Sequence, residues 1–218
     1  MRPRQLMPQT VSKRSNAIRP APLGRTLERA FFEGPVAGVD EVGRGALAGP
    51  VVVAAVVLGA GSPDGLADSK LLSARRRNEL VEELRSCGAE WGVGMVEAVR
   101  IDEVGIMRAL AEAATAALNA LPRPPWGILL DGPHDYIGGA WNVQTAVRGD
   151  QTEACIAAAS VVAKVTRDRI MHQRDEVFPG YGFASHVGYG TVAHRDAIRS
   201  LGPCQEHRLS WRLLPEQS

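Results

Sequence analysis

Apolar runs and helical spacing alternate along the chain and predict the order of its elements. Strands are predicted over Val36–Val42 and Gly49–Leu58, with glycines between them. Ser73 is placed to cap a following helix, whose apolar residues recur at helical spacing. The glycine-rich segment AEWGVGMVEA predicts a third strand, and IDEVGIMRALAEAATAALNAL predicts one further helix.

The second half of the chain predicts short strands that alternate with helices. The segment WGILLDG predicts a strand that ends in Asp131, and WNVQTAVRGD predicts one that ends in Asp150. A long helix is predicted from Gln151 to about Phe178, and a glycine-containing loop leads to a last helix in VAHRDAIRSLG. This order predicts an α/β domain in which an antiparallel meander is joined to parallel strands.

Composition separates the first residues from the rest of the 218-residue chain. Residues 1–33 are basic, rich in proline and poor in acids, which predicts a disordered basic arm. A transit peptide and a weak electrostatic contact with nucleic acid are the alternatives. Residues 34–218 are predicted to form one folded domain, because a chain that is 45% hydrophobic can bury a sizeable core.

Charge and cysteine content restrict the class of protein. A net charge of +1 excludes a globally basic nucleic-acid coat but leaves room for a local basic groove. Three widely separated cysteines without zinc-like spacing predict reduced thiols in a cytoplasmic protein. The longest apolar run, Val51 to Leu58, is far below the ~20 residues of a membrane helix, so no membrane contact is expected.

Four carboxylates fall where the predicted strands would bring them together. Asp40 and Glu41 lie within the first strand, and Asp131 and Asp150 lie at the ends of two others. Functional groups of open α/β sheets gather where strands end, so the four side chains are expected to converge. A cluster of like charges needs a cation, and oxygen ligands favour Mg²⁺ or Mn²⁺. The acids therefore predict metal-dependent phosphoryl chemistry with two ions.

Each acid also has a purely structural explanation. Asp150 begins the capping-box pattern DQTE, and Asp131 could start a turn. Strand alternation points Glu41 away from Asp40, so it could be solvated, bond to Arg44, or reach the site only if the strand bends. Asp40 has the weakest structural explanation, because its surroundings on both sides are apolar and an unpaired buried carboxylate is costly.

The segment Gly43-Arg44-Gly45 follows the paired acids directly. It lacks the spacing and the lysine of a phosphate-binding loop. Glycine lets a backbone approach a ligand closely, so the segment is either a ligand-contacting loop or a tight turn with a solvated arginine. The neighbouring acids favour the first interpretation.

Five segments resemble bacterial ribonuclease HII in their order and spacing. They are AGVDEVGRGALAGPVVVAAVVL, DSKLLSARRR, ILLDG, GDQTEACIAAASVVAKVTRDRIM and GYGTVAH, and the resemblance extends from about Val36 to Trp211. It implies a ribonuclease H-like fold with a five-stranded mixed sheet flanked by helices. It also implies an endonuclease that hydrolyses the RNA strand of RNA–DNA hybrids and cuts 5′ to ribonucleotides embedded in duplex DNA.

The reaction that the resemblance implies is a two-metal-ion hydrolysis with Mg²⁺ or Mn²⁺ that leaves a 3′-hydroxyl and a 5′-phosphate. Its implied role is the removal of misincorporated ribonucleotides and RNA primers. A monomer is expected, and a replication-clamp partner stays open because RLLPEQS contains no evident aromatic clamp motif. The residues that match the family's catalytic and metal-binding acids are Asp40, Glu41, Asp131 and Asp150.

The resemblance also implies a way to recognise the substrate. Gly43-Arg44-Gly45 matches the loop that contacts the ribose 2′-hydroxyl, the group that distinguishes RNA from DNA, and Tyr189 matches the tyrosine that packs on the adjoining deoxyribose. Val187 stands where a basic residue is common, so one phosphate contact is in doubt and His186 is the available substitute. The further candidates for contacts with the substrate are Ser69, Lys70, Lys164, His186, Thr191 and His194.

Some of these candidates have alternative explanations. Lys70 and Lys164 could be solvated lysines near helix ends, and His194 could cap its own helix. The other histidines lack zinc-like spacing and are expected to have surface or structural roles; they are His134, His172 and His207.

Other functions stay open at the level of sequence. Two related families of enzyme are alternatives. Ribonuclease HIII has a similar set of acidic residues but carries a further N-terminal domain, and ribonuclease HI is not expected to contain the glycine-arginine-glycine loop. A hybrid-binding module without catalysis is a third possibility, although such a module has little reason to keep all four acids.

Overall fold

A five-stranded mixed sheet lies at the centre of the computed structural model, which describes residues 23–139 and 141–214. The strands are β1 (Val36–Val42), β2 (Val51–Val57), β3 (Glu90–Val96), β4 (Gly127–Asp131) and β5 (Val143–Ala146). Their order across the sheet is β3-β2-β1-β4-β5. β2 is antiparallel to both β1 and β3, whereas β4 is parallel to both β1 and β5. The predicted meander joined to parallel strands is confirmed.

Helices cover both faces of this sheet. The described residues contain α1 (Thr26–Phe31), α2 (Ala74–Ser86), α3 (Ala98–Val104), α4 (Ile106–Asn119), α5 (Ala154–Val177), α6 (Phe183–His186) and α7 (Val192–Leu201). Alternate residues of β1 face opposite sides, so Val36 and Val42 pack with α2 and α5, whereas Ala37 and Val39 pack with α3 and α4. Two apolar cores therefore enclose the sheet.

A close contact between β1 and α5 sets the position of the acidic residues. A Cβ at Gly38 would lie 2.1 Å from the carbonyl carbon of Cys155, so only glycine permits this approach. Two residues further along the strand, Asp40 faces the same helix and hydrogen-bonds to Ser160. The first predicted acid is thus fixed between a central strand and a buried helix.

Three predictions of local structure are wrong. Gly105, at φ 78°, separates α3 from α4, so the segment predicted as one helix forms two. β5 ends at Ala146, and Asp150 instead lies in a short 3-10 helix, Gly149–Gln151. The long helix begins only at Ala154, preceded by Glu153 without a side-chain cap, so Asp150 does not cap it.

Part of the predicted basic arm is folded. Leu23, Leu27 and Phe32 pack against the core that contains α5, and Gly24 bridges to Glu153. The prediction of disorder over residues 1–33 is therefore wrong for residues 23–33, because their apolar side chains are anchored on the domain. Residues 1–22 lie outside the described residues.

Two further features bear on the predictions made from composition. Within residues 23–139 and 141–214, no helix has both the length and the apolar character needed to cross a membrane. All three cysteines are free thiols, as their spacing predicts; they are Cys87, Cys155 and Cys204.

Candidate active site

A cleft of about 270 Å³ opens beside the C-terminal end of β1. Its walls come from β1, from the 3-10 helix Ser69–Leu71, from α5 and from the loop that follows α6. Candidates from four separate segments of the sequence therefore share one cavity. The lining residues are Asp40, Glu41, Val42, Ser69, Lys70, Ser160, Lys164 and Tyr189.

Asp40 is the most deeply placed acid in this cleft. Only 5% of it is exposed, and its Oδ1 accepts a hydrogen bond from the backbone N–H of Glu41 at 2.8 Å. Burial, together with repulsion from Glu41 and Asp131, raises the pKa of Asp40 to about 8. Its carboxylate would be stabilised strongly by a cation.

Glu41 points away from Asp40, as strand alternation predicts. Arg44 Nη1 donates to its Oε1 at 3.3 Å, and the hydroxyl of Tyr136 donates to its Oε2 at 3.2 Å. β1 keeps its regular pairing with β2 through Val42, so the strand does not bend to bring Glu41 beside Asp40. Glu41 is nevertheless among the residues that line the cleft near the end of the strand.

Asp131 and Asp150 form the second part of the acidic site. Asp131 Oδ1 accepts a hydrogen bond from Gly149 N at 2.8 Å, which ties the end of β4 to the 3-10 helix that contains Asp150. Asp150 is only 4% exposed, and burial with repulsion from Asp131 and Asp68 raises its pKa to about 6. The ammonium of Lys70 lies 3.9 Å from Asp150 Oδ2.

Asp68 is an acid of the site that sequence reasoning missed. It is 6% exposed, its side chain accepts a hydrogen bond from Lys70 N at 3.0 Å, and the ammonium of Lys70 lies 3.9 Å from its Oδ1. The only sequence signal was its place directly before Ser69 and Lys70, in a segment that otherwise resembles a surface loop. The fold brings it close to Asp150.

Lys70 serves as the counter-charge for these acids. Burial lowers its pKa, but the surrounding carboxylates outweigh this effect and raise the pKa overall. Since its side chain is 77% exposed, the ammonium can also reach a ligand in solution. The carboxylates that act on it are Asp68, Asp40, Asp150 and Asp131.

The chemistry of the acidic residues fits a hard divalent cation. Their donors are all oxygen atoms, which Mg²⁺ and Mn²⁺ prefer, and the pKa values of Asp40 and Asp150 are raised by burial and then by repulsion between carboxylates, both of which a bound cation would offset. As placed, the carboxylates bond to neighbouring protein groups. Within the described ranges, no three acidic, histidine or cysteine side chains converge on a point where a metal ion could be held.

The two glycines of Gly43-Arg44-Gly45 have different surroundings. Gly43 is buried at φ 91°, and a Cβ there would lie 2.1 Å from Arg167 Nε. Arg44 and Gly45 are exposed, and a Cβ at Gly45 would meet no atom of the described residues within 4 Å. The segment therefore combines a packed anchor with an open, solvent-facing backbone.

Tyr189 borders the cleft with cations near its ring. The ring centroid lies 6.0 Å from Lys164 Nζ and 5.4 Å from Arg167 Cζ, so its face attracts both charges. Lys164 also donates to Asp168 Oδ1 at 2.7 Å. Ser69, a predicted contact residue, is buried and hydrogen-bonded to Ser160 at 2.9 Å between hydroxyl oxygens.

His186 and His194 are buried near the loop that contains Tyr189 and do not line the cleft. His186 is buried, its Nε2 bonds to Tyr181 O at 2.8 Å, and its Nδ1 accepts from Gly188 N at 3.2 Å. His194 is fully buried and bonds through Nδ1 to Tyr189 O. The ring nitrogens of both histidines bond to groups within the protein, and their predicted contacts with the substrate stay predictions.

The remaining polar candidates have structural or surface positions. Thr191 Oγ1 accepts from His194 N at 3.2 Å and caps α7, so this threonine, and not His194, is the cap. His207 is buried and bonds through Nε2 to His194 Nε2 at 3.2 Å, which confirms a structural role. His134 and His172 are exposed, as predicted.

The mixed sheet and the acidic cleft at its strand ends define the chain as a ribonuclease H-like α/β enzyme. Solved structures share this fold. The ribonuclease H2 of Pyrococcus horikoshii OT3 has a TM-score of 0.67 at 26% identity, covering 82% of this chain and 94% of that chain. The ribonuclease HII of Archaeoglobus fulgidus, solved in complex with PCNA, has a TM-score of 0.67 at 28% identity, covering 84% and 98%.

Sequence comparison identifies the family within this class. The ribonuclease HII family profile matches residues 37–214, and the chain belongs to this family. The ribonuclease HII of Streptomyces avermitilis is 47% identical over 180 residues, which are 82% of this chain and 77% of that protein. The ribonuclease HII of Rhodococcus erythropolis is 45% identical over 210 residues, 94% of this chain and 90% of that protein. The chain is therefore an endonuclease of the ribonuclease H type that acts on RNA–DNA hybrids.

Proposed function

We propose that the chain hydrolyses the RNA strand of hybrids and also cuts 5′ to single ribonucleotides embedded in duplex DNA. The observation that carries this proposal is the contact between the two loops beside the acidic cleft. Leu47 N donates to Gly188 O at 2.8 Å, so the loop that begins with Gly43-Arg44-Gly45 adjoins the loop that contains Tyr189. Tyr189 borders the same cleft as Asp40, and the loop that carries it is hydrogen-bonded to the loop that begins with the exposed glycine segment.

This arrangement can distinguish one sugar from the next. A 2′-hydroxyl both donates and accepts hydrogen bonds, and the exposed backbone at Gly45 can offer both kinds of partner. The ring of Tyr189, packed on the following sugar, would leave no space for a second hydroxyl. The site would thus recognise a junction between RNA and DNA without reading a base.

Asp40, Glu41, Asp131 and Asp150 are the residues that would hold the metal cofactor. Bound Mg²⁺ or Mn²⁺ would supply an activated water and stabilise charge on the leaving oxygen. Lys70 would hold a phosphate, since its ammonium is exposed and already lies within the acidic site. Hydrolysis of the P–O3′ bond would leave a 3′-hydroxyl and a 5′-phosphate.

In the cell, this activity would remove misincorporated ribonucleotides and RNA primers. We expect a monomer that acts in the cytoplasm, and the three free thiols are consistent with a reducing compartment.

The test is cleavage, with titrated Mg²⁺ and Mn²⁺, of an RNA–DNA hybrid, a duplex with one ribonucleotide, and plain DNA. The first two should be cut and the third should not. Asp40→Asn should lower the rate by about 100-fold or more, because an amide cannot replace the buried carboxylate. Asp64→Asn, at an exposed acid outside the cleft, is the matched control and should cleave normally.

A second measurement on the same variants reports on folding. Because burial and the neighbouring carboxylates disfavour ionisation of Asp40 in the metal-free fold, Asp40→Asn should raise the melting temperature without metal and reduce the further rise that Mn²⁺ produces in the wild type. If Asp40→Asn cleaves like the wild type, or if the wild type binds hybrids but never cuts them, the proposed chemistry is wrong.

A further inference from the structure

Two arginines lie fully buried behind the recognition loops. Arg167 on α5 and Arg208 after α7 are both 0% exposed, and neither forms an ion pair within the described residues. Burial of an unpaired charge is unfavourable unless hydrogen bonds replace its water shell. Backbone carbonyl groups supply those hydrogen bonds here.

Arg208 binds the loop that contains Gly43-Arg44-Gly45. Its Nη2 donates to Gly43 O at 2.7 Å and to Gly49 O at 3.0 Å, and its Nη1 donates to Arg44 O at 2.9 Å. Its backbone N–H donates to Leu47 O at 2.9 Å. One residue thus binds carbonyl groups at both ends of the loop and in its middle.

Arg167 connects the same loop to the loop of Tyr189. Its Nε donates to Pro50 O at 2.9 Å, its Nη2 to Ala48 O at 3.0 Å and its Nη1 to Val187 O at 2.7 Å. The backbone at Val187 has a φ of 45°, which is strained for a β-branched residue, and the hydrogen bond to its carbonyl group helps to hold it there.

The two guanidinium groups together fix which side of the loop backbone faces the cleft. They draw the carbonyl groups of residues 43, 44, 48, 49 and 50 inward, whereas Arg44 and Gly45 stay exposed. A planar guanidinium can bond several carbonyl groups at fixed angles, whereas an ammonium of the same charge has no such fixed geometry.

We propose that Arg167 and Arg208 are positioning residues that hold the Gly43-Arg44-Gly45 loop and the Tyr189 loop in fixed relative positions for recognition of a ribonucleotide. This inference rests on the proposed role of those two loops. Neither arginine touches the substrate; each acts through the backbone that it binds.

Arg208→Lys and Arg167→Lys test the proposal, because lysine keeps the charge and loses the set of hydrogen bonds. Arg169→Lys, on the exposed side of α5, is the matched control. For each variant, kcat and KM are measured on a duplex with a single ribonucleotide, and Ki is measured for an all-DNA duplex as competitor. Melting temperature and Mn²⁺ binding by calorimetry show whether the fold and the acidic site persist.

The two lysine variants should lower kcat/KM on the single-ribonucleotide duplex by about 10-fold or more, while Ki for all-DNA changes by less than about 2-fold. Mn²⁺ binding should persist, and Arg169→Lys should match the wild type throughout. Folded variants with wild-type kcat/KM would overturn the inference. A wild type that does not cut the single-ribonucleotide duplex would instead overturn the proposed function.

Hydrogen exchange on the wild-type protein tests the same idea without any variant. The amides of residues 46–49 all donate to backbone carbonyl groups, so they should exchange slowly, as core amides do. Fast exchange of these amides would show that the loop is not held, and the proposal would then be wrong even if the lysine variants fail to fold.

Discussion

Gly43 and Gly45 show how one short motif can combine two different physical requirements. At Gly43, the left-handed backbone and the guanidinium of Arg167 exclude a side chain. At Gly45, no described atom does so, and the open space lies where we propose that the sugar binds. The sequence predicts a functional glycine loop but cannot show that only the second glycine faces the ligand.

The two glycines should therefore respond differently to alanine. Gly43→Ala should destabilise the protein by about 1–3 kcal/mol, because the new Cβ meets a buried arginine and a strained backbone. Gly45→Ala should leave the free energy of unfolding within about 0.5 kcal/mol of the wild type and raise KM for the single-ribonucleotide duplex. Denaturant unfolding and steady-state kinetics measure both effects. Equal loss of stability in the two variants would contradict this assignment.

The acids illustrate a second limit at the scale of residues. The predicted strands point to Asp40, Glu41, Asp131 and Asp150, whereas Asp68 lies in a loop segment, where its only local signal is its place before Ser69 and Lys70. Its link to Asp150 depends on contact between segments far apart in sequence, which no local pattern reports.

At the scale of elements, the segment before β1 is the clearest difference from prediction. Low acid content and prolines predicted disorder, but Phe32 packs so closely on β4 that a Cβ at Gly127 would lie 1.9 Å from its ring. The preceding Phe31 is 54% exposed. Tertiary packing of a few apolar side chains therefore outweighs a composition that is otherwise typical of disordered chain.

This pair of phenylalanines provides a matched test. Phe32→Ala should lower the free energy of unfolding by about 1–3 kcal/mol, since it removes an aromatic ring from the surface of β4. Phe31→Ala should change it by less than about 0.5 kcal/mol. Urea unfolding measures both. If the two variants lose stability equally, the residues before β1 are not anchored as described.

At the scale of the whole molecule, a chain of buried histidines links α6, α7 and the C-terminal segment. The rings of His186 and His194 stack with centroids 4.2 Å apart, and His194 bonds to His207, which accepts from Cys204 N at 2.9 Å. Burial is the main cause that lowers the pKa of His194 to about 4 and lowers that of His207 below its ordinary value. The hydrogen bonds among these buried histidines therefore require neutral imidazole rings.

The pH dependence of stability follows from these directions. Between pH 6.5 and about 4, an unfolded His194 binds a proton that the folded one does not, so its contribution to stability falls as the pH falls, by on the order of 3 kcal/mol at most. Asp40 and Asp150 act in the opposite direction. Their pKa values are higher in the folded than in the unfolded protein, so the folded state binds protons first and gains stability as the pH falls.

Comparison of the wild type with His194→Gln isolates the histidine contribution. The variant should lose less free energy of unfolding than the wild type between pH 6.5 and 4, as measured by denaturant titration at several pH values. Parallel curves for the two proteins would show that His194 is not held neutral in the fold.

The sequence by itself determined the order of the strands, the mixed sheet, the main acids and the family, because these depend on local periodicity and on motifs of fixed spacing. Only the tertiary structure decided the partners of Glu41, the place of Asp68, the burial of His186 and His194, and the hydrogen bonds of Arg167 and Arg208. Each of these depends on the low dielectric constant and the close packing created when distant segments meet, and a local pattern contains neither.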